Sequence, residues 1–187
     1  MSLKRTLRSY GILVLVSGLI ILVDQLSKAY IRANFIEGVT FWAPWDWMLP
    51  YARILYVSNT GAAFGLLKGM SGVFTVLAFL VSLAIIYYFP RVSEKDWPLR
   101  LAMCLQLAGA LGNLIDRVFV GHVTDFISVG NFPVFNVADS SITIGVVILL
   151  VSLWFQEQDQ KKVPAVDETA SPDTADVESH PSDGPSS

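Results

Sequence analysis

The sequence predicts an all-α membrane protein with four transmembrane helices and a small strand-bearing subdomain in the loop after the first. Three observations predict it. Hydrophobic residues make up 53% of the 187 and charged residues only 16%, a balance that suits lipid better than water as the surrounding solvent. Four long apolar runs recur along the chain, each close to the roughly 20 residues that a spanning helix needs. Between the first two, aromatic and β-branched residues cluster in a loop.

The first run occupies about 10–31, provided Asp24 and Lys28 are accepted near its end, and Lys4, Arg5 and Arg8 precede it. No pair of small residues spaced for signal cleavage follows Val23, so the run is expected to remain as an uncleaved span. Loop 34–68 holds Trp42, Trp45 and Trp47, residues that settle at lipid headgroups, and the stretch from Tyr51 to Val57 reads as a strand. An Asn59-Thr-Gly-Ala-Ala-Phe-Gly segment then leads into the second span, about 69–90. The third span, about 98–116, ends Gly109-Ala-Leu-Gly-Asn-Leu-Ile-Asp-Arg, where small residues let another backbone come close. Asn113 and Asp116 are neighbours at i,i+3, and Asp116 beside Arg117 reads most simply as a helix-end salt bridge or cap. The fourth span, about 136–156, carries Asp139 alone among charged residues.

Residues 1–9 form a short N-terminus, 10–158 the four-span domain, and 159–187 an acidic tail expected to be disordered. The last 25 residues contain six acids and no Lys or Arg; with a chain total of −3, the preceding residues carry +3. No charge feature calls for a nucleic acid. Eight Lys and Arg residues fall on the side of the termini against five opposite, so both termini are expected in the cytoplasm. Asp24, loop 34–68, Asp116, Asp125 and Asp139 then lie together at the outer face. The only cysteine, Cys104, sits within a span, His122 and His180 stand apart, and no His-Glu-x-x-His occurs, so neither a metal nor a cofactor is expected.

Asp125 and Asp139 are the carboxylates that call for an explanation, because ionisable groups at a bilayer edge are expensive. Two carboxyls brought together cannot both ionise easily; they hold one proton between them and act as base and acid at once. Alternatively, Asp139 caps the fourth helix and Asp125 is a turn residue. The residues alone leave both readings open.

Five segments taken in order carry a resemblance. Val23-Asp-Gln-Leu-Ser-Lys, Asn59-Thr-Gly-Ala-Ala-Phe-Gly, Gly109-Ala-Leu-Gly-Asn-Leu-Ile-Asp-Arg, Val123-Thr-Asp-Phe-Ile and Phe135-Asn-Val-Ala-Asp-Ser resemble the bacterial lipoprotein signal peptidases, or signal peptidases II, across roughly 10–156. The resemblance implies an aspartic endopeptidase of the inner membrane that is blocked by the cyclic lipopeptide globomycin. Its substrates would be diacylglyceryl-modified prolipoproteins, cut on the N-terminal side of the lipidated cysteine. It implies Asp125 and Asp139 as the catalytic pair. Asp24, Lys28, Asn59, Gly61, Asn113, Arg117, Asn136 and Ala138 would shape the site, orient the carboxylates or contact substrate. It also implies an extracytoplasmic β-cradle and an amphipathic surface helix. Two features depart from the family pattern: the stretch 126–138 is short, and the acidic tail is long. Nothing in the sequence demands more than a monomer. The alternative is a small membrane carrier with Asp24, Asp125 and Asp139 as a proton or cation relay. A relay needs polar groups through the bilayer depth, yet the second span has no charge between Lys68 and Arg91 and the third none between Arg100 and Asp116.

Overall fold

The computed structural model describes residues 3–61 and 70–162. Helix α1 (Leu3–Asn34) is followed by strand β1 (Ala52–Asn59), α2 (Ser71–Tyr88), α3 (Trp97–Phe119), β2 (Val123–Val129) and α4 (Val137–Lys162). All four helices are long and apolar enough to cross a membrane. Inside lipid a helix satisfies its own backbone hydrogen bonds, which explains why apolar runs of this length take that form. Each expected span is present, and α1 extends past both expected ends because its polar termini can leave the bilayer. At its N-terminal end, Arg5 and Arg8 reach Glu94 at 3.4 and 4.0 Å.

Helix α3 is the most buried of the four. Small residues permit this. A Cβ on Gly109 would lie 2.4 Å from both the Ala138 carbonyl oxygen and Ile142 Cγ1, so α3 and α4 approach with no room for a side chain. Near the opposite end, Leu13, Ile85, Phe89, Cys104 and Leu107 pack into an apolar cluster. Cys104 is thus a buried packing residue, and its carbonyl accepts a hydrogen bond from Ser17 at 2.9 Å. Leu19, Leu22 and Leu26 of α1 and Leu150 and Leu153 of α4 stay exposed, as lipid-facing residues would.

The expected strand is present as β1, but its partner lies far along the chain. β1 pairs antiparallel with β2, running from Ala52 opposite Val129 to Asn59 opposite Val123, with an irregularity between Ile54 and Val57. The cradle is therefore not contained in loop 34–68; half of it follows α3. The chain reaches β2 through Gly121, whose φ of 87° suits glycine, and leaves it through Gly130 at 52°. Phe135 then bonds back to Ile127 at 2.8 and 3.0 Å. The short 126–138 stretch still completes a hairpin.

Trp42 exchanges backbone hydrogen bonds with Ile54 at 2.8 and 2.9 Å, which ties the outer loop to β1. Trp42, Trp45 and Trp47 are exposed, as belt residues would be. The described part of this loop holds one 3-10 turn, Asp46–Met48, and the implied amphipathic surface helix is not found there; the stretch 62–69 that leads into α2 lies outside the described residues. α4 continues to Lys162, beyond the tail boundary expected at 159. The tail from 163 and the Ala-Ala-Phe-Gly part of the 59–65 segment lie outside the described residues.

Candidate active site

The C-terminal ends of α1 and α3, the N-terminal end of α4 and strand β2 meet at one end of the bundle. Asp24 and Lys28, one turn apart on α1, form an ion pair at 2.9 Å with neither side chain exposed to solvent. The Lys28 ammonium also reaches Asp116 at 3.3 Å and Asn113 Oδ1 at 3.0 Å. Asp24 accepts a hydrogen bond from the Ala138 N–H at 2.9 Å, holding the first turn of α4 against α1. Asp116 accepts one from the Thr124 N–H at 2.9 Å, holding the start of β2 against α3. Two buried acids thus dock the two elements that carry Asp139 and Asp125. Gly112 is required beside them, since a Cβ there would lie 2.7 Å from Asp24 Oδ2.

Asn113 extends this network towards the cavity. Its carbonyl oxygen must face the Lys28 ammonium, which can only donate, so its amide nitrogen points the other way and donates to Asp139 Oδ1 at 2.7 Å. Asn136 serves both carboxylates. Its Nδ2 donates to Asp125 Oδ1 at 2.7 Å and lies 3.2 Å from Asn113 Oδ1, and its backbone N–H points to Asp139 Oδ2 at 3.3 Å. On the other side, Asn59 Nδ2 donates to Asp125 Oδ2 at 2.9 Å. The Gly61 N–H in turn donates to Asn59 Oδ1 at 2.9 Å, which fixes the amide so that its NH2 faces Asp125.

Asp125 is buried and Asp139 partly so, and both line a cavity of about 570 Å³. Phe74, Pro133, Phe135 and Ile142 give it apolar walls, and Asn59, Asn113 and Arg117 its polar points. An apolar chamber with a few convergent polar groups is the usual form of a substrate site. Arg117 stays close to its own helix, with its guanidinium 3.5 Å from the Asn113 carbonyl and 5.7 Å from the Phe74 ring centre. Burial, and then the Asp139 carboxylate, push Asp125 up to about 7, against the Asn59 and Asn136 amides and the Lys28 charge, which pull it down. A carboxyl of this kind can carry a proton near neutral pH and give it up during a reaction.

All ten expected site residues belong to this one constellation. Asp125, Asp139, Asn59, Gly61, Asn113 and Arg117 face the cavity, while Asp24, Lys28, Asn136 and Ala138 are buried behind it. Four participants lie outside the ten expected residues: Arg32, Thr124 and Gln25, which the sequence reading does not single out, and Asp116, which it gives another partner. Asp116 pairs with Lys28 and with Arg32 at 3.5 Å, in place of the adjacent Arg117. Arg32 also donates to Thr124 Oγ1 at 2.9 Å, and Gln25 Nε2 to the Gly112 carbonyl at 3.0 Å. Arg32 and Gln25 are helical neighbours of Asp24 and Lys28, which was the available signal. Among the described residues, no three His, Cys, Asp or Glu side chains gather as metal ligands would.

Residues 16–155 match the family described as signal peptidase (SPase) II. A lipoprotein signal peptidase of Desulfitobacterium hafniense (strain DSM 10664 / DCB-2) is 36% identical over 146 residues, which is 78% of this chain and 94% of that protein. One of Staphylococcus aureus (strain MRSA252) is 33% identical over 156 residues, covering 81% and 93%. A bacterial membrane enzyme solved by the in meso method at 2.3 Å superposes with a TM-score of 0.74 and 32% identity over 83% of this chain and 94% of its own. A second, at 1.9 Å, gives 0.68 and 33% over 76% and 92%.

Proposed function

The chain belongs to the signal peptidase II family, and from that premise we propose that Asp125 and Asp139 are the carboxyls with which it cuts diacylglyceryl-modified prolipoproteins. It is a multi-pass membrane protease of the lipoprotein signal peptidase type. The observation that supports the pair most directly is Asn136. One residue hydrogen-bonds both carboxylates, which arise from a strand and a helix, and both line the same cavity.

In the proposed reaction, one carboxylate takes a proton from water as the oxygen adds to the scissile carbonyl. The other, protonated, donates to the carbonyl oxygen. The roles reverse as the tetrahedral species collapses, and the lipidated cysteine leaves with a free amine. Asn59, Asn113 and Asn136 keep the carboxylates aimed; Lys28 orients Asn113, which in turn meets Asn136, and the Gly61 N–H orients Asn59. The acyl chains remain in lipid while the extended cleavage segment enters the cavity beside β2.

We place both termini in the cytoplasm of a bacterium and the cavity at the outer face of its inner membrane, on the excess of basic residues at the other end. The protein is read as a monomer. The carrier reading is not favoured, because Asp24 is held by Lys28 and the Ala138 amide at the same end as Asp125 and Asp139, and so marks no path through the bilayer.

The deciding experiment is a gel-shift assay of the purified protein in detergent with a diacylglyceryl-modified prolipoprotein. Cleavage just before the lipidated cysteine, blocked by globomycin, is expected. A folded protein that leaves the substrate intact would return weight to a non-enzymatic role.

A further inference from the structure

At the end of the bundle opposite the aspartates, Arg100 of α3 is only 6% exposed. Its Nη1 donates to the Val92 carbonyl at 3.1 Å, and its guanidinium carbon lies 4.3 Å from the centre of the Phe89 ring. Its Nη2 has no hydrogen-bond partner among the described residues. A buried cationic donor left without an acceptor is costly, and the natural acceptor for a planar guanidinium is a carboxylate or a phosphate. The nearby carboxylate of Glu94 is already engaged by Arg5 at 3.4 Å.

Arg100 lines a cavity of about 240 Å³. Arg8 and Glu94 share its polar end, and Ile12, Val16, Leu101 and Cys104 carry it on between α1 and α3 as apolar wall. Trp97, exposed at the rim, suits the headgroup level. The cavity therefore offers an orphaned cationic donor, a second arginine and an apolar continuation in one place. A free anion would use only the first two; a lipid would use all three.

We infer that this cavity binds the headgroup phosphate of an anionic phospholipid from the leaflet opposite the active site, with one acyl chain against the Ile12–Val16 and Leu101–Cys104 walls. Basic pockets between spans at the cytoplasmic side are the form such sites take. Arg100 supplies the fixed contact. Arg8, largely exposed and only 4.0 Å from Glu94 at its nearest, supplies a second contact that can turn to the phosphate.

Native mass spectrometry of the full chain in detergent, titrated with phosphatidylglycerol or with phosphatidylcholine of the same chains, tests the site without any substrate. Its outcome is thus independent of the catalytic reading. One phosphatidylglycerol should be retained where phosphatidylcholine is not. Arg100→Gln should weaken retention about tenfold and Arg8→Gln roughly fivefold. Inorganic phosphate should not displace the lipid. Equal retention of the two lipids, displacement by inorganic phosphate alone, or unchanged retention in a folded Arg100→Gln protein would each overturn the proposal. If Arg100→Gln does not fold, Arg8→Gln decides, since its exposed side chain carries little of the fold; unchanged retention there overturns it as well.

Discussion

Asn136 and Asp139 close a reciprocal pair at the start of α4. The Asp139 N–H donates to Asn136 Oδ1 at 2.9 Å, and the Asn136 N–H points to Asp139 Oδ2 at 3.3 Å. This is a capping box built with Asn and Asp, and it satisfies two backbone donors that a helix start leaves unpaired. Asp139 is therefore part of the capping arrangement, as one sequence reading had it, but the cap itself is Asn136. The same geometry that starts the helix sets the carboxylate at the cavity, so folding and aiming are one event.

The two roles of Asn136 can be separated. Asn136→Ser keeps an oxygen for the Asp139 N–H but loses the amide that reaches Asp125. Asn136→Ala loses both, and with the cap about 1 kcal/mol of stability. Thermal unfolding should rank serine close to wild type and alanine below it, while peptide cleavage is strongly reduced in both. A serine variant with wild-type turnover would show that the Asp125 contact is dispensable.

Asp125→Asn and Asp139→Asn should each lower cleavage by roughly 10²–10⁴-fold or more, since each removes one member of an acid–base pair. Asp125→Asn also places an NH2 against one of two asparagine amides, so a modest loss of stability is expected beside the loss of rate. Circular dichroism and elution volume would establish that both variants still fold. Turnover within a few-fold of wild type in either would remove that residue from the pair.

Lys28→Met should be among the most destabilising single changes in the chain. It leaves Asp24 and Asp116 buried without their shared cation, a situation that costs about 3–5 kcal/mol. Arg53→Met, at an exposed position on β1, is the control and should move the melting temperature little. If Lys28→Met melts with the control, the network does not hold α1, α3 and α4 together.

How far the sequence discloses this arrangement depends on which physics is involved. The spans are legible because lipid imposes a length and a composition on each helix separately, and α1 to α4 fall where those runs lie. β1 is legible from its own β-branched and aromatic residues. Its pairing with β2 is not, because nothing local joins Asn59 to Val123. The ten expected site residues come from motifs in order, whereas Asp116 reads from the sequence as a partner of its neighbour Arg117. Sequence proximity suggested that pair, but a helix sends adjacent side chains in different directions, and Lys28 and Arg32 of α1 face Asp116 instead.

The pH dependence follows from Asp125. Its carboxyl is held at about 7 by burial and by Asp139, above the ordinary value of 3.8. The proposed chemistry needs one carboxyl protonated and one ionised, so cleavage should fall as the pH rises through about 7, approaching tenfold per pH unit once both are ionised. Stability should move in the same direction. A raised carboxyl binds its proton more tightly in the folded state than in the unfolded chain. Its contribution is fully present below about 3.8 and is lost as the pH rises through about 7. Between pH 5 and 8, the melting temperature of the wild type should therefore decline more steeply than that of Asp125→Asn, which cannot titrate there. Comparing slopes cancels the constant cost of the amide substitution. Parallel slopes, together with a cleavage rate flat to pH 9, would mean that Asp125 is ionised throughout and does not carry the proton.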